Sequence, residues 1–320
     1  MEVFRSLAQA GPLRGCAVAI GNFDGVHLGH RRLFEAARAR RRGQRAVALT
    51  FEPHPARVLR PELAPPLLTP LGRKLELMAG CGLDAVVVQP FDAAWAQTSA
   101  RTFVERDLCG HLGAAEVVVG YDFTAGHERA RADALGEMMR ACGIGLEVVQ
   151  PVTAEGLTVS STKIREFLLE GRVDAAALLL GRPHDVEGVA ARGAGRGRAF
   201  GFPTANLRPE AMLPANGVYA VRVLLGTPVG EGGVTGTWDA TPWDGVCNVG
   251  VRPTVEEGAP VTAEAHLLDF DERDLHGTLV RIAFAVRLRE ERRFASVDEL
   301  RAQIGRDVDR AREILRRGPM

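Results

Sequence analysis

His27 and His30 stand three residues apart behind a glycine-rich turn, Gly21-Asn22-Phe23-Asp24-Gly25, in the densest cluster of chemistry-bearing side chains in the chain. At that spacing, on the first turn of a helix, both imidazoles can reach one anion. The apolar run Ala17 to Ile20 feeds into the turn as a strand, and Arg31 to Arg42 reads as a helix after it. Such a corner leaves the first helix amides and the positive dipole end facing whatever lies beyond the strand, which suits phosphate. Gly29 carries no side chain, so a nucleotide can approach the backbone closely. A zinc site built from His27 and His30 with Asp24 and His54 is the competing reading. The glycine-rich corner is better matched to phosphate.

Further segments end strands or open helices in ways that could complete such a site. Thr50-Phe51-Glu52-Pro53-His54-Pro55 closes a second strand, and Gly120-Tyr121-Asp122-Phe123 follows a later one. Ser160-Ser161-Thr162-Lys163-Ile164-Arg165 opens a helix with hydroxyls followed by two cations. Ser161 and Thr162 can cap the helix or donate to phosphate, Arg165 offers a planar fork, and Lys163 a point charge.

A second constellation lies in the C-terminal half. Gly195, Gly197 and Gly201 allow a loop to bend over phosphates, and Pro203 leads into Thr204 and Asn206, two neutral oxygen donors suited to magnesium. Farther on, Glu264 and His266 share one face of an alternating strand. A carboxylate there could act as general base toward a substrate hydroxyl, or be an ordinary solvated strand residue.

The elements that position these groups alternate in the first half. Strands are expected at Cys16 to Ile20, Arg45 to Thr50, Ala85 to Gln89, Glu116 to Gly120 and Leu146 to Gln150. Helices are expected at about 28-42, 70-80, 99-112 and 132-142. Strands alternating with helices imply an α/β domain whose parallel sheet is covered on both faces, with ligands beyond the carboxyl ends of the strands. Two helices, at about 162-170 and 173-180, precede a change of pattern. Alternating runs at Gly217 to Leu225, Asn248 to Val251, Glu264 to Leu268 and Leu279 to Leu288 then read as antiparallel strands, with a last helix from Val297 to Leu315. The expectation is a parallel-sheet domain over 1-183 and an antiparallel β-barrel with a C-terminal helix over 184-320.

Composition bounds the functions these sites can serve. At 320 residues and 46% hydrophobic, the chain can fill two cores. Basic and acidic residues number 40 each, so no net field draws the protein onto nucleic acid or an anionic membrane. Only two lysines, Lys74 and Lys163, accompany 38 arginines, a bias of coding composition. Five cysteines without a C-x-x-C pair read as reduced structural thiols. Neither a membrane span nor a signal peptide is visible, so the expectation is a cytoplasmic protein, monomeric or a weak homo-oligomer, acting on small molecules.

The glycine-histidine corner resembles the H-x-G-H signature of the nucleotidylyltransferase superfamily. The wider set is similar to the bacterial bifunctional riboflavin kinase/FMN adenylyltransferase (FAD synthetase) family: G-N-F-D-G-V-H-L-G-H at 21-30, F-E-P-H-P at 51-55, S-S-T-K-I-R at 160-165, G-F-P-T-A-N-L at 201-207, G-V-Y-A at 217-220, N-V-G-V-R-P-T at 248-254 and E-A-H-L-L-D-F at 264-270. The resemblance implies a Rossmann-like nucleotidylyltransferase domain followed by a riboflavin kinase barrel, with ATP as co-substrate, Mg2+, and riboflavin, FMN and FAD as substrates or products. It assigns Glu264 as the kinase base and Thr204 and Asn206 as magnesium-nucleotide ligands; Gly195, Gly197, Gly201 and Pro203 read beside them as nucleotide- and phosphate-binding. It makes His27, His30 and Arg165 catalytic in the transferase. Gly21, Asn22, Phe23, Asp24, Gly29, Ser161 and Thr162 then bind nucleotide, and Asp122, Phe123 and His54 flavin. After Phe123 the sequence departs from the family pattern over 124-133. The alternative is that only the kinase half turns over.

Overall fold

The computed structural model describes residues 1–191, 204–229, 236–251, 261–270 and 274–316. The chain divides into two compact units, one formed by Met1–Pro66 and Arg73–Val159, the other by Leu67–Gly72 and Ser160–Met320. Two short stretches of sequence thus leave the company of their neighbours: 67–72 and the helices after 160 group with the second unit.

The first unit is a six-stranded parallel sheet. Its strands are β1 (Glu2–Phe4), β2 (Ala17–Ile20), β3 (Ala46–Glu52), β4 (Ala85–Pro90), β5 (Glu116–Gly120) and β6 (Gly145–Val149), in the order β1-β4-β3-β2-β5-β6. The central strands are near-continuous runs of Ala, Val, Ile and Leu because both faces are covered. Covering or connecting them are α1 (Leu28–Arg40), α2 (Pro55–Leu59), α3 (Leu71–Ala79), α4 (Ala100–Thr102) and α5 (Ala132–Ala141). One layer of the core gathers Val18, Ile20, Leu49, Val87, Phe103, Leu108, Val117 and Leu135. The strand order reverses between β2 and β5, and the crevice beyond that switch point is where such sheets bind ligands.

Three local features differ from the expectation. The helix expected at 99–112 is α4 running into a π-helix, Phe103–His111. The wider turn lets Phe103, Val104, Asp107 and Leu108 all face inward, with buried Asp107 bonded by Arg106 and His111. The edge strand β1 escaped notice because three residues cannot display a period. A hairpin of β7 (Thr153–Ala154) and β8 (Leu157–Thr158) turns through Glu155 and Gly156, both at positive φ, as a two-residue hairpin demands.

The second unit contains α6 (Ser161–Leu169), α7 (Val173–Leu180) and an antiparallel sheet. Among the described residues its strands are β9 (His184–Val189), β10 (Thr204–Leu207), β11 (Gly217–Pro228), β12 (Gly236–Trp238), β13 (Trp243–Val251), β14 (Val261–Leu267) and β15 (Leu279–Arg289). The order is β10-β14-β13-β11-β15-β9, with β12 beside β11. The sheet curls into a half-barrel, and a bridge between Ala191 and Asn206 links its two edges. The last helix, α8 (Val297–Arg316), lays Ala311 and Leu315 on Val218, Ala220, Ala285 and Leu288. No helix among the described residues is long and apolar enough to cross a membrane. None of the five cysteines is in a disulfide. Burial pushes the Cys16 thiol up to about 12; burial and then the charge of Glu264 raise Cys247 further, so neither is a nucleophile near neutrality.

Candidate functional sites

The corner after β2 is held from the sheet. Gly21 N donates to Leu49 O of β3 (3.1 Å), and the chain then turns through Phe23 and Val26, both in the left-handed region at φ 52° and 42°. Non-glycine residues rarely adopt that conformation, Val least of all, and such strain persists only where the surroundings over-determine it. Phe23 supplies part of that restraint. Its ring, expected at the nucleotide, is fully buried instead, edge-on to His30 (5.3 Å) and tilted against Phe34 (4.7 Å). An apolar ring gains more beneath the loop than in the cleft. Gly21 is needed for this packing, since a Cβ there would lie 2.9 Å from the Phe23 ring.

The two histidines also differ from a simple helical pair. His27 is the N-cap of α1, outside the helix, and its Nδ1 accepts from His30 N at 3.3 Å. The imidazoles stack with centroids 3.5 Å apart and planes inclined by 17°. Capping takes Nδ1 of His27 and so turns the other edge of that ring outward from the helix start. Desolvation, then the charges of His27 and Lys74, hold His30 well below its ordinary value, so it is a neutral imidazole near pH 7. Its Nδ1 is buried without a hydrogen-bond partner, as is Nε of the neighbouring Arg31. Orphaned buried polar atoms at a helix N-terminus are what an incoming phosphate would satisfy.

Gly29 has a more local reason than the one its sequence position suggests. A Cβ there would lie 3.1 Å from two atoms of the His27 ring. Alanine at 29 is therefore expected to displace His27 while adding up to about 1 kcal/mol of helix propensity. Gly29→Ala should melt no lower than the parent yet lose about tenfold or more of any activity that uses His27. Paired thermal melts and initial rates check this; parental activity would show that the ring position is immaterial.

Asp24 is buried in the same turn and Asn22 is exposed. From β3, buried Thr50 donates through Oγ1 to Asn22 O at 3.1 Å. His54 caps α2, accepting from Ala56 N at 3.2 Å, so Nδ1 points back into its own loop. Beyond β5, Asp122 is exposed, whereas Phe123 packs partly against the core. The segment that departs from the family pattern forms a closed turn, with Ala125 and Ala130 exchanging backbone bonds and Glu128 accepting from Ala100 N. These groups line the ends of β3, β2 and β5, neighbours in the sheet. Among the described residues no group of three His, Cys, Asp or Glu side chains could hold a metal, which counts against the zinc reading.

On α6 the cap is Ser160, whose Oγ accepts from Lys163 N at 3.2 Å. Ser161 and Thr162 therefore open the first turn rather than cap it. Lys163, expected as a phosphate cation, is tied to Glu166 at 2.8 Å. Arg165 is half-buried on the same helix.

In the second unit the register assembles what the sequence left scattered. Asn206 of β10 pairs with Glu264 of β14, which pairs with Asn248 of β13; Thr204 pairs with His266 one step along. Directly opposed residues project from the same face. Glu264 thus stands between two amides, with Thr204 and His266 beside them. Asn206 is 4% exposed, and Asn248 Nδ2 donates to Glu291 Oε1 at 2.9 Å. Gly195, Gly197, Gly201 and Pro203 lie outside the described residues.

Two positions were missed. Asn248 stood at a strand start in the sequence, and only the register puts it beside Glu264. Lys74 had a faint signal: one of two lysines among 38 arginines, it occupies the inward face of α3 with Met78, one turn away.

A family model for FAD synthetase matches residues 10–163, and one for riboflavin kinase matches residues 180–315. A bifunctional riboflavin kinase/FMN adenylyltransferase from Escherichia coli (strain K12) is 38% identical over 317 residues, covering 96% of this chain and 95% of its own. Another, from Pseudomonas fluorescens, is 37% identical over 319 residues and covers 98% of each. A crystal structure described as a macrolide-efflux protein from Streptococcus pneumoniae has a TM-score of 0.83 at 28% identity, covering 97% of this chain and 98% of its own. Two family models in tandem and relatives alike from end to end lead to one assignment: the chain belongs to the bifunctional riboflavin kinase/FMN adenylyltransferase family.

Proposed function

We propose that the two activities of this family are divided between the two constellations, the Gly21–His30 corner serving adenylyl transfer and the Thr204-Asn206-Glu264 face serving phosphoryl transfer. The functional boundary is placed at 183/184, a few residues after the riboflavin kinase match begins at residue 180. The observation that carries the reading is the buried, partnerless Nδ1 of His30 at the start of α1, beyond the switch point of a parallel sheet.

In the kinase half, the ribityl 5'-hydroxyl of riboflavin attacks the γ-phosphorus of ATP. The new P–O bond forms as the bond to ADP breaks, and Glu264 accepts the hydroxyl proton. Asn206 and Asn248 flank the carboxylate in register and limit where it can swing. Thr204 and Asn206 present neutral hard oxygens on one face, a donor set that fits magnesium beside nucleotide phosphates. The ion would neutralise charge on those phosphates.

In the transferase half, an FMN phosphate oxygen attacks the α-phosphorus of a second ATP, and pyrophosphate leaves. No proton need be removed from the attacking oxygen, so the site's task is to hold and neutralise developing negative charge. His27, His30 and the first amides of α1 do that, and the family resemblance gives Arg165, Ser161 and Thr162 a phosphate-binding role of their own. Asp122, Phe123 and His54 lie toward the flavin. The protein acts in the cytoplasm, as a monomer or weak homo-oligomer.

Nothing favours the alternative of a kinase-only enzyme, because the FAD synthetase match runs through the 124–133 segment. Incubating pure protein with riboflavin, ATP and magnesium and separating the flavins tests the reading. FMN followed by FAD is expected; FMN alone would remove the transferase, and neither product would overturn both halves.

A further inference from the structure

We infer that Lys74 is a positioning residue for adenylyl transfer, holding the Gly21–His30 corner in its strained conformation from inside the fold. The inference rests on the proposed role of that corner. Lys74 is 2% exposed, an unusual state for an ammonium group, which is almost never fully buried unless paired. Its Nζ donates to Asn22 O at 3.2 Å and stands 4.0 Å from a carboxylate oxygen of Glu52. Burial lowers its affinity for a proton, and the charges of Glu52 and then Asp24 oppose that fall.

These contacts join three segments. Asn22 and Asp24 belong to the turn after β2, Glu52 ends β3, and Lys74 itself comes from α3. The carbonyl it grips precedes Phe23, the first left-handed residue, and Thr50 Oγ1 donates to the same oxygen from β3. Fixing that peptide plane fixes ψ of Asn22 and hence the direction in which Phe23 and Val26 turn. That direction sets where the cap His27 and the stacked His30 ring stand. A charged donor is the stronger choice for such a bond, and the neighbouring carboxylates make its burial tolerable. Nζ is enclosed by protein groups, so Lys74 acts on the turn rather than on a phosphate.

The test compares Lys74→Met, which keeps length and apolar volume, with Lys74→Arg, which keeps charge and donors. FMN adenylylation and riboflavin phosphorylation are measured on the same preparations. Lys74→Met is expected to lower kcat for FAD formation about 10²-fold, a loss typical of misplaced catalytic groups. KM for ATP and for FMN should change less than about threefold, since the binding groups remain. Riboflavin phosphorylation should be unaffected, and Lys74→Arg should recover tenfold or more over Lys74→Met. Parental kcat in Lys74→Met, a rise in KM with kcat unchanged, or equal loss in the two variants would each overturn the inference. Should Lys74→Met fail to fold, Thr50→Val removes the other bond to the Asn22 carbonyl and is expected to lower kcat about tenfold; an unchanged kcat overturns the inference equally. His30→Ala run in parallel separates the two readings: if it still makes FAD, the site assignment has failed rather than the role of Lys74.

Discussion

His30→Ala is expected to lower FMN adenylylation by about 10²–10³-fold while riboflavin phosphorylation continues at the parental rate, so that FMN accumulates from riboflavin and ATP. The magnitude is that of deleting one donor aimed at charge that develops in the transition state. His30 is well placed for such a role because its ring is already held by the stacked His27 and by Phe23. Little rotamer freedom remains to be lost when the nucleotide arrives. Its neutrality before binding also matters: desolvation above all disfavours the protonated ring, and a polyphosphate would relieve that penalty. The phosphates thus meet groups that become better donors as negative charge grows. Separating flavins after timed incubation with riboflavin, or with FMN supplied directly, reads both steps in one sample. Equal loss of FMN and FAD would contradict a division of labour between the two halves.

Glu264→Gln is the complementary result. It should lower riboflavin phosphorylation by about 10²–10⁴-fold, the span of general-base catalysis, and leave FAD formation from supplied FMN at the parental rate. The amide keeps the shape of the carboxylate between Asn206 and Asn248 but cannot accept the hydroxyl proton. Glu264 lies on an interior strand of the sheet, paired on both sides, so its backbone is set by its neighbours and the exchange is structurally mild. A variant that phosphorylates riboflavin at the parental rate would show that proton removal is left to another group, with His266 on the same strand face the first to examine.

Reading the chain as a string was sufficient where the periods were long and the punctuation strong. The parallel sheet was legible because β2 to β5 each centre on an apolar run and are separated by helical stretches that end in glycine. The strand-turn-helix corner was legible because its glycines punctuate the apolar run of β2 just before a helical stretch. Short elements were not legible: β1 has three residues, and β9 and β10 are brief and interrupted by polar positions that only pairing explains. The π-helix was invisible because its inward residues form a pattern that an α-helix nearly shares.

The sequence by itself determined which side chains are on offer: two constellations suited to phosphate, their order along the chain, and a family resemblance carried by seven separate motifs. Those follow from residue types and local spacing, which a linear reading retains. Only the tertiary structure decided which distant residues meet. It set Asn248 beside Glu264 through strand register, turned Phe23 inward beneath His30, made His27 a cap rather than a helical residue, and brought Lys74 to the Asn22 carbonyl. Each of those choices is settled by burial and hydrogen-bond satisfaction among segments far apart in sequence, and local spacing holds no information about them.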